Sequence, residues 1–240
     1  MKREKEDQKD LFFMRRALRL AIRGKGRTSP NPMVGAVIVK NGRIIGEGFH
    51  PEAGQPHAEI YALRAAGGRA RGATMYLTLE PCCHTEKRTP PCVPELIRSR
   101  LRRIVVAMED PNLAVGGKGI SLLRKAGVEV TVGLLRRRAE ELNAPYSHFM
   151  KTGRPFVTLK VAATLDGRSA VPDGASRWIT GEAARRLVHR LRSESDAVMV
   201  GIGTVLADDP SLTARLKGGK NPVRIVLDSR LRIPLQARLL

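Results

Sequence analysis

Apolar residues recur at helical spacing from Leu11 through Met14 and Leu18 to Ala21 and Ile22, which predicts a helix capped by Asp10 and running to about Arg23. The unbroken apolar run Met33 to Val39 then predicts a buried strand. Asn41-Gly42 is the dipeptide that best accommodates a two-residue hairpin turn, and Ile44 to Phe49 reads as the return strand. His57 to about Ala66 is helical in pattern and stops at Gly67-Gly68. Strands follow at Thr74 to Leu79, Arg103 to Met108 and Val128 to Val132. Helices alternate with them at Cys92 to Arg100, Gly119 to Ala126 and Arg136 to about Phe149. A hairpin followed by alternating helix and strand predicts a sheet with an antiparallel pair at one side, parallel strands after it, and helices on both faces. The expected fold class is α/β, with a three-layer α/β/α domain over residues 1–150.

Lys151-Thr152-Gly153-Arg154-Pro155 reads as a linker, and the pattern restarts after it. Phe156 to Ala163 predicts a strand, Asp166 to Arg177 a polar loop, and Glu182 to Ser193 a helix. Ala197 to Val200 predicts a strand, Gly201-Ile202-Gly203-Thr204 a turn, and Val223 to Leu227 a last strand. Residues 151–240 are thus expected to form a second, smaller α/β domain, and one that stops as though more strands should follow.

Composition narrows the class. Hydrophobic residues make up 42% and charged residues 28%, as in globular proteins. No apolar run is long enough to span a bilayer, and the charged N-terminus lacks the apolar stretch of a signal peptide, so a cytoplasmic protein without membrane contact is expected. All three cysteines fall between positions 82 and 92, a clustering that suits a metal site better than a disulfide framework. The net charge of +20 fits an arginine-rich solvated surface, and it also suits phosphorylated small substrates or cofactors. Nucleic acid is the weaker reading, because aromatics at 4% supply few stacking platforms.

The candidate chemistry lies in His57-Ala58-Glu59, Pro81-Cys82 and Pro91-Cys92. One imidazole and two thiolates make a three-ligand zinc site. A structural zinc is closed by four protein ligands, whereas a catalytic one keeps a position open. Glu59 would then be free to move protons, the arrangement of the zinc deaminases of nucleobases. The bland alternative is a closed site of His57, Cys82, Cys83 and Cys92. It places adjacent cysteines on one ion and leaves Glu59 without a task.

Longer motifs make the resemblance specific. They are Pro30 to Gly35, Pro56-His57-Ala58-Glu59, Thr78 to His84, Thr89-Pro90-Pro91-Cys92 and Asp110-Pro111-Asn112 in the first segment. In the second they are Lys160 to Arg168, Ser176 to Thr180 and Thr204 to Pro210. From about Phe13 onward the chain resembles the bifunctional riboflavin-biosynthesis family in which a pyrimidine deaminase is fused to a reductase. The resemblance implies a cytidine-deaminase-like domain followed by a dihydrofolate-reductase-like one, here partial. It implies hydrolytic deamination of 2,5-diamino-6-ribosylamino-4(3H)-pyrimidinone 5′-phosphate, then NADPH-dependent reduction of ribosyl to ribityl. Zinc would be held by His57, Cys82 and Cys92, with Glu59 as proton carrier and Asn31 and His84 lining the deaminase pocket. NADPH contacts would fall on Ala162, Trp178, Thr204, Asp208 and Ser229. Substrate contacts of the reductase half would fall on Ser176, Arg192, Leu212 and Arg215, the two arginines suiting phosphate. A homo-oligomer is implied on the same ground.

Two departures from the family pattern stand out. Glu86-Lys87 occupies the place of a single glycine, so the loop between the cysteines is one residue longer. Spacing to Cys92 then favours Cys83, whereas the Pro-Cys step directly off a strand favours Cys82, the thiolate preferred here. The family's acidic substrate contact and glycine-rich nucleotide loop are also not found before Leu240, so this chain is expected to deaminate but to reduce poorly. The rival from the same superfamily is a tRNA-editing zinc deaminase, which the charge would suit.

Overall fold

The computed structural model describes residues 2–84, 89–113, 115–169 and 179–240, and the chain divides into two compact units, 1–156 and 157–240. Among the described residues, no helix is long and apolar enough to cross a membrane.

The first unit opens with α1 (Lys2–Ala21) and the hairpin β1 (Gly35–Lys40) and β2 (Arg43–Phe49). It continues through α2 (Ala58–Ala66), β3 (Thr74–Leu77), α3 (Cys92–Arg98), β4 (Arg103–Val106), α4 (Lys118–Lys125) and β5 (Glu129–Val132) to α5 (Arg136–Leu142) and α6 (Ala144–Thr152). The sheet order is β2-β1-β3-β4-β5. β1 pairs antiparallel with both β2 and β3, and β3, β4 and β5 run parallel. Asn41 and Gly42 both have positive φ, 51° and 74°, as the expected hairpin turn requires.

Side chains alternate across β1, so its two faces meet different helices. A Cβ on Gly35 would lie 2.0 Å from Ala17 O of α1. Gly46 and Gly48 pair with Ile38 and Ala36, and a Cβ on either would strike the backbone of α2. Helices α1 and α2 therefore cover opposite faces, close enough that only glycine fits at the crossings. The core between the layers is continuous from Met14 and Ala17 through Val37, Ile38, Met75 and Leu77 to Ile104 and Val106.

Several expectations need correction. Asp10 does not cap α1, which begins eight residues earlier. It lies inside the helix, buried, where it accepts hydrogen bonds from Tyr76 Oη (2.6 Å) and Arg103 (2.8 Å). The single helix expected over 136–149 is two, broken at Asn143. There the side chain accepts from Met33 N–H (2.8 Å) and donates to Met33 O (3.0 Å), and Pro145 starts α6.

The second unit holds α7 (Glu182–Glu194), β6 (Ala197–Gly201), α8 (Ile202–Asp208) and β7 (Val223–Leu227). Its two strands pair in parallel, and a small core of Ile202, Val205, Ala237 and Leu239 packs beside them. The turn expected at 201–204 is instead the start of α8. The strand expected over 156–163 is not formed: this stretch carries no ladder, and Val157 and Leu159 are 82% and 86% exposed. An alternating apolar segment becomes a strand only when a neighbouring strand takes its backbone bonds.

Candidate active site

Two helix N-termini and one strand exit build the site. His57 is the N-cap of α2, in extended backbone, and Glu59 lies in that helix's first turn. Beyond β3 the chain reaches Cys82, whose carbonyl accepts from the N–H groups of Cys92 (3.1 Å) and Val93 (3.3 Å) in the first turn of α3. The strand exit is thus latched to the helix. The Cys92 N–H also donates to Cys82 Sγ at 3.4 Å. Amides at a helix N-terminus favour the anionic form of a thiol.

His57 Nδ1 lies 3.5 Å from Cys82 Sγ and 3.4 Å from Cys92 Sγ, and the three ligand atoms lie within 4.8 Å of one another. Zinc bonds of about 2.3 Å to sulfur and about 2.0 Å to nitrogen, at tetrahedral angles, put the ligand atoms about 3.5 Å apart. The donor set and its spacing therefore fit zinc. Cys83 is not in this cluster. It is half-buried against the core, where burial pushes its thiol up.

Glu59 is 3% exposed, and its Oε2 is buried with no hydrogen-bond partner among the described residues. Burial pushes this carboxyl up, and the neighbouring Cys82 adds to the shift. An orphaned buried carboxylate oxygen is costly, so it marks a place for a ligand.

His57, Glu59 and Cys82 open on a cavity of about 460 Å³ that Asn31, His50, His84, Thr89, Asp110, Asn112 and Tyr146 also line. Asn31 Nδ2 lies 3.1 Å from His50 Nε2, and His50 Nδ1 lies 3.1 Å from Pro56 O. A carbonyl can only accept, so His50 carries its proton on Nδ1 and receives the Asn31 amide at Nε2. His84 is half-buried, and its Nδ1 has no partner among the described residues. Thr89 Oγ1 sits 3.2 Å from His57 Nε2.

On the cavity wall, Glu80 gathers three backbone donors. Oε2 accepts from Asp110 N (3.2 Å) and Gly117 N (2.9 Å), and Oε1 from Ile120 N (3.1 Å). One carboxylate thus caps α4 and ties Asp110 and Gly117 to the segment that delivers Cys82. Asp110 Oδ1 accepts from Asn112 N and Tyr146 Oη, both at 2.9 Å, and burial pushes the Asp110 carboxyl up.

Sequence reasoning gave His50, Glu80, Thr89, Asp110 and Tyr146 no task. Glu80 had a signal, being a carboxylate between a buried strand and Pro81-Cys82. The contact between Asp110 and Tyr146 spans 36 residues and leaves no local trace.

In the second unit, Thr204 lies exposed in the first half of α8 and Asp208 ends it. Ser229 is exposed just after β7, and Ala162 is half-buried in the irregular stretch before α7. Arg192 of α7 donates to Thr213 O (3.3 Å), and burial, with a further push from the nearby Arg215, lowers its pKa. Leu212 is buried, and both it and Arg215 adopt positive φ. His189 joins the two arginines, with its pKa lowered by burial first and then by both guanidinium groups. Ser176 and Trp178 lie outside the described residues, as do Glu86 and Lys87.

Comparison with known proteins bears on the same residues. Residues 7–108 match the cytidine and deoxycytidylate deaminase zinc-binding region, and residues 155–240 match the RibD C-terminal domain. The chain is 51% identical to the riboflavin biosynthesis protein RibD of Bacillus amyloliquefaciens, over 95% of this chain and 62% of that one. It is also 51% identical to that of Aquifex aeolicus, over 96% and 65%. It thus spans somewhat under two thirds of these curated relatives. Among solved structures, Acinetobacter baumannii RibD superposes with a TM-score of 0.92 at 50% identity, over 98% of this chain and 67% of that one. A Thermotoga maritima diaminohydroxyphosphoribosylaminopyrimidine deaminase/5-amino-6-(5-phosphoribosylamino)uracil reductase gives 0.92 at 45% identity, with the same coverage. A zinc-binding deaminase region followed by a RibD C-terminal domain, in one chain at half identity to these proteins, places the chain in the RibD family of riboflavin biosynthesis proteins.

Proposed function

We propose that this chain catalyses zinc-dependent hydrolytic deamination of 2,5-diamino-6-ribosylamino-4(3H)-pyrimidinone 5′-phosphate in riboflavin biosynthesis. One observation carries the reading: Glu59 holds an orphaned, buried oxygen beside a three-donor cluster, and it shares a cavity wall with two of the donors, His57 and Cys82. His57, Cys82 and Cys92 would hold the ion and leave one tetrahedral position for a small ligand. When bound, zinc supplies the Lewis acidity that makes water a nucleophile near neutral pH.

Glu59 does the proton work. It takes a proton from the attacking water and passes it to the ring nitrogen as the carbon becomes tetrahedral; it then takes the proton of the adduct's hydroxyl, which becomes the carbonyl oxygen, and gives it to the departing amine as the C–N bond breaks. Water and the amine-bearing ring become a ring carbonyl and ammonia. A carboxyl raised by burial holds a proton between these steps more readily than an exposed one. Asn31 and His84 orient the pyrimidine edge, Asn31 being steadied by His50.

The second unit supports the reductase half of the same reading, with NADPH as cofactor. Thr204, Asp208 and Ser229, with Ala162 and Trp178, are assigned to the dinucleotide. Arg192 and Arg215, with Leu212 and Ser176, are assigned to the phosphorylated substrate. Two guanidinium groups placed near one another, with Arg192 partly withdrawn from water, attract a phosphate. A phosphorylated small substrate also accounts for the +20 charge. The test offers the diaminopyrimidine ribosyl phosphate and tRNA separately to the zinc-loaded chain. Stoichiometric ammonia from the first supports the proposal; ammonia from tRNA alone overturns it.

A further inference from the structure

We infer that Thr89 is a positioning residue that fixes the tautomer of His57: its hydroxyl accepts the Nε2 proton and leaves the Nδ1 lone pair aimed between the two thiols. The inference rests on the reading of His57 as a metal ligand. A neutral imidazole carries one N–H and one lone pair, and the partner of the first nitrogen decides what the second can do. Here the two nitrogens have different company. Nδ1 faces Cys82 Sγ at 3.5 Å and Cys92 Sγ at 3.4 Å, while Nε2 faces Thr89 Oγ1 at 3.2 Å. For Nδ1 to donate electrons, the proton must sit on Nε2, and Thr89 supplies the acceptor.

The covalent tether makes the arrangement specific. Thr89 and Cys92 are separated only by Pro90 and Pro91, and Pro91 holds φ at −63° and ψ at 143°. Two proline rings remove most of the backbone freedom between them. One short rigid segment therefore grips the same ring from both ends, the hydroxyl at Nε2 and the thiol at Nδ1. His50 packs edge-on against the ring, with centroids 5.2 Å apart and planes at 73°, which restrains its rotation. A threonine acting merely as cavity wall would not need its hydroxyl on this nitrogen.

The test measures zinc affinity on the full chain, by competition with a chromophoric chelator, separately from ammonia release. Partners of this kind are worth about 10–100-fold in metal affinity. Thr89→Val keeps the shape and removes the acceptor, so it should weaken zinc binding by about 10–100-fold. Thr89→Ser should restore affinity to within a few-fold of the unmodified chain. The visible bands of the cobalt-loaded protein should shift in the valine variant and return in the serine variant. Equal zinc affinity and unchanged cobalt bands in Thr89→Val would overturn the inference, as would a serine variant as weak as the valine one. A chain that binds zinc tightly with this variant pattern but releases no ammonia would leave the inference standing and remove the proposed activity. An unmodified chain that binds no zinc would overturn both.

Discussion

Gly48 is where packing and catalysis meet, and Gly48→Ala tests whether the site depends on the seat of α2. A Cβ at this position would lie 2.2 Å from Ala58 O, 2.6 Å from Ala62 N and 2.7 Å from Tyr61 Cβ. All three are backbone or Cβ atoms, so no side-chain rotation relieves the clash. Ordinary contact begins near 3.4 Å, so the helix must retreat by about 1 Å or the strand must buckle. Overpacking of this kind costs about 1–3 kcal/mol, and rigid neighbours place Gly48→Ala at the upper end. At about 2–4 °C per kcal/mol for a domain of this size, the melting temperature should fall by about 6–12 °C. Ala58 stands between His57 and Glu59, so the same retreat moves ligand and carboxylate together. A displacement of about 1 Å can cost about 100-fold in rate, even in molecules that remain folded. Gly46→Ala is the control. Its Cβ would meet Ala62 O at 2.3 Å, one turn farther from the site, so it should lose similar stability and much less activity per folded molecule. The assay pairs thermal unfolding with ammonia release normalised to folded protein. A Gly48→Ala protein with unchanged melting temperature and turnover would refute the reasoning.

Three further outcomes follow from the same contacts. Asn143→Ala removes both bonds to Met33 and leaves half-buried backbone groups without their protein partner, so the urea midpoint should drop by the equivalent of about 1–3 kcal/mol; a change under about 0.5 would show that the clasp contributes little. Burial raises Asp110, so between its ordinary and folded pKa values the folded state binds more protons than the unfolded state. Stability from this group therefore falls as pH rises through that interval. Asp110→Asn should gain melting temperature relative to the unmodified chain on going from about pH 4 to about pH 7, and a constant difference would contradict the assignment. Removing metal with a chelator should abolish ammonia release, with zinc restoring it and magnesium, which prefers oxygen ligands, failing to do so.

Local chemistry made most of the first unit legible. Asn41-Gly42 dictates its turn, the apolar run before it is the inner strand β1, and His57-Ala58-Glu59 opens helix α2. The errors arose where distant residues decide. Lys2 to Asp7 has no apolar periodicity, so the early start of α1 left no mark, and Asp10 looked like a cap because its real partners, Tyr76 and Arg103, are 66 and 93 residues away. The break at Asn143 depends on Met33, 110 residues back. The choice between Cys82 and Cys83 was open on spacing alone. In the structure the hydrogen bonds from Cys92 and Val93 hold Cys82 at the cluster, while Cys83 packs toward the core. In the second unit, Val157, Leu159 and Val161 have a strand's alternation without a strand's partner.

The central claim is that Glu59 moves protons at a site held by His57, Cys82 and Cys92. The most direct measurement compares ammonia release from the diaminopyrimidine ribosyl phosphate by the unmodified chain and by Glu59→Gln, each loaded with one zinc per chain. The account predicts equal zinc content and a loss of at least about 100-fold in kcat for the glutamine variant, the contribution typical of a general acid–base group. Turnover by Glu59→Gln within a few-fold of the unmodified chain, at equal zinc content, would contradict it.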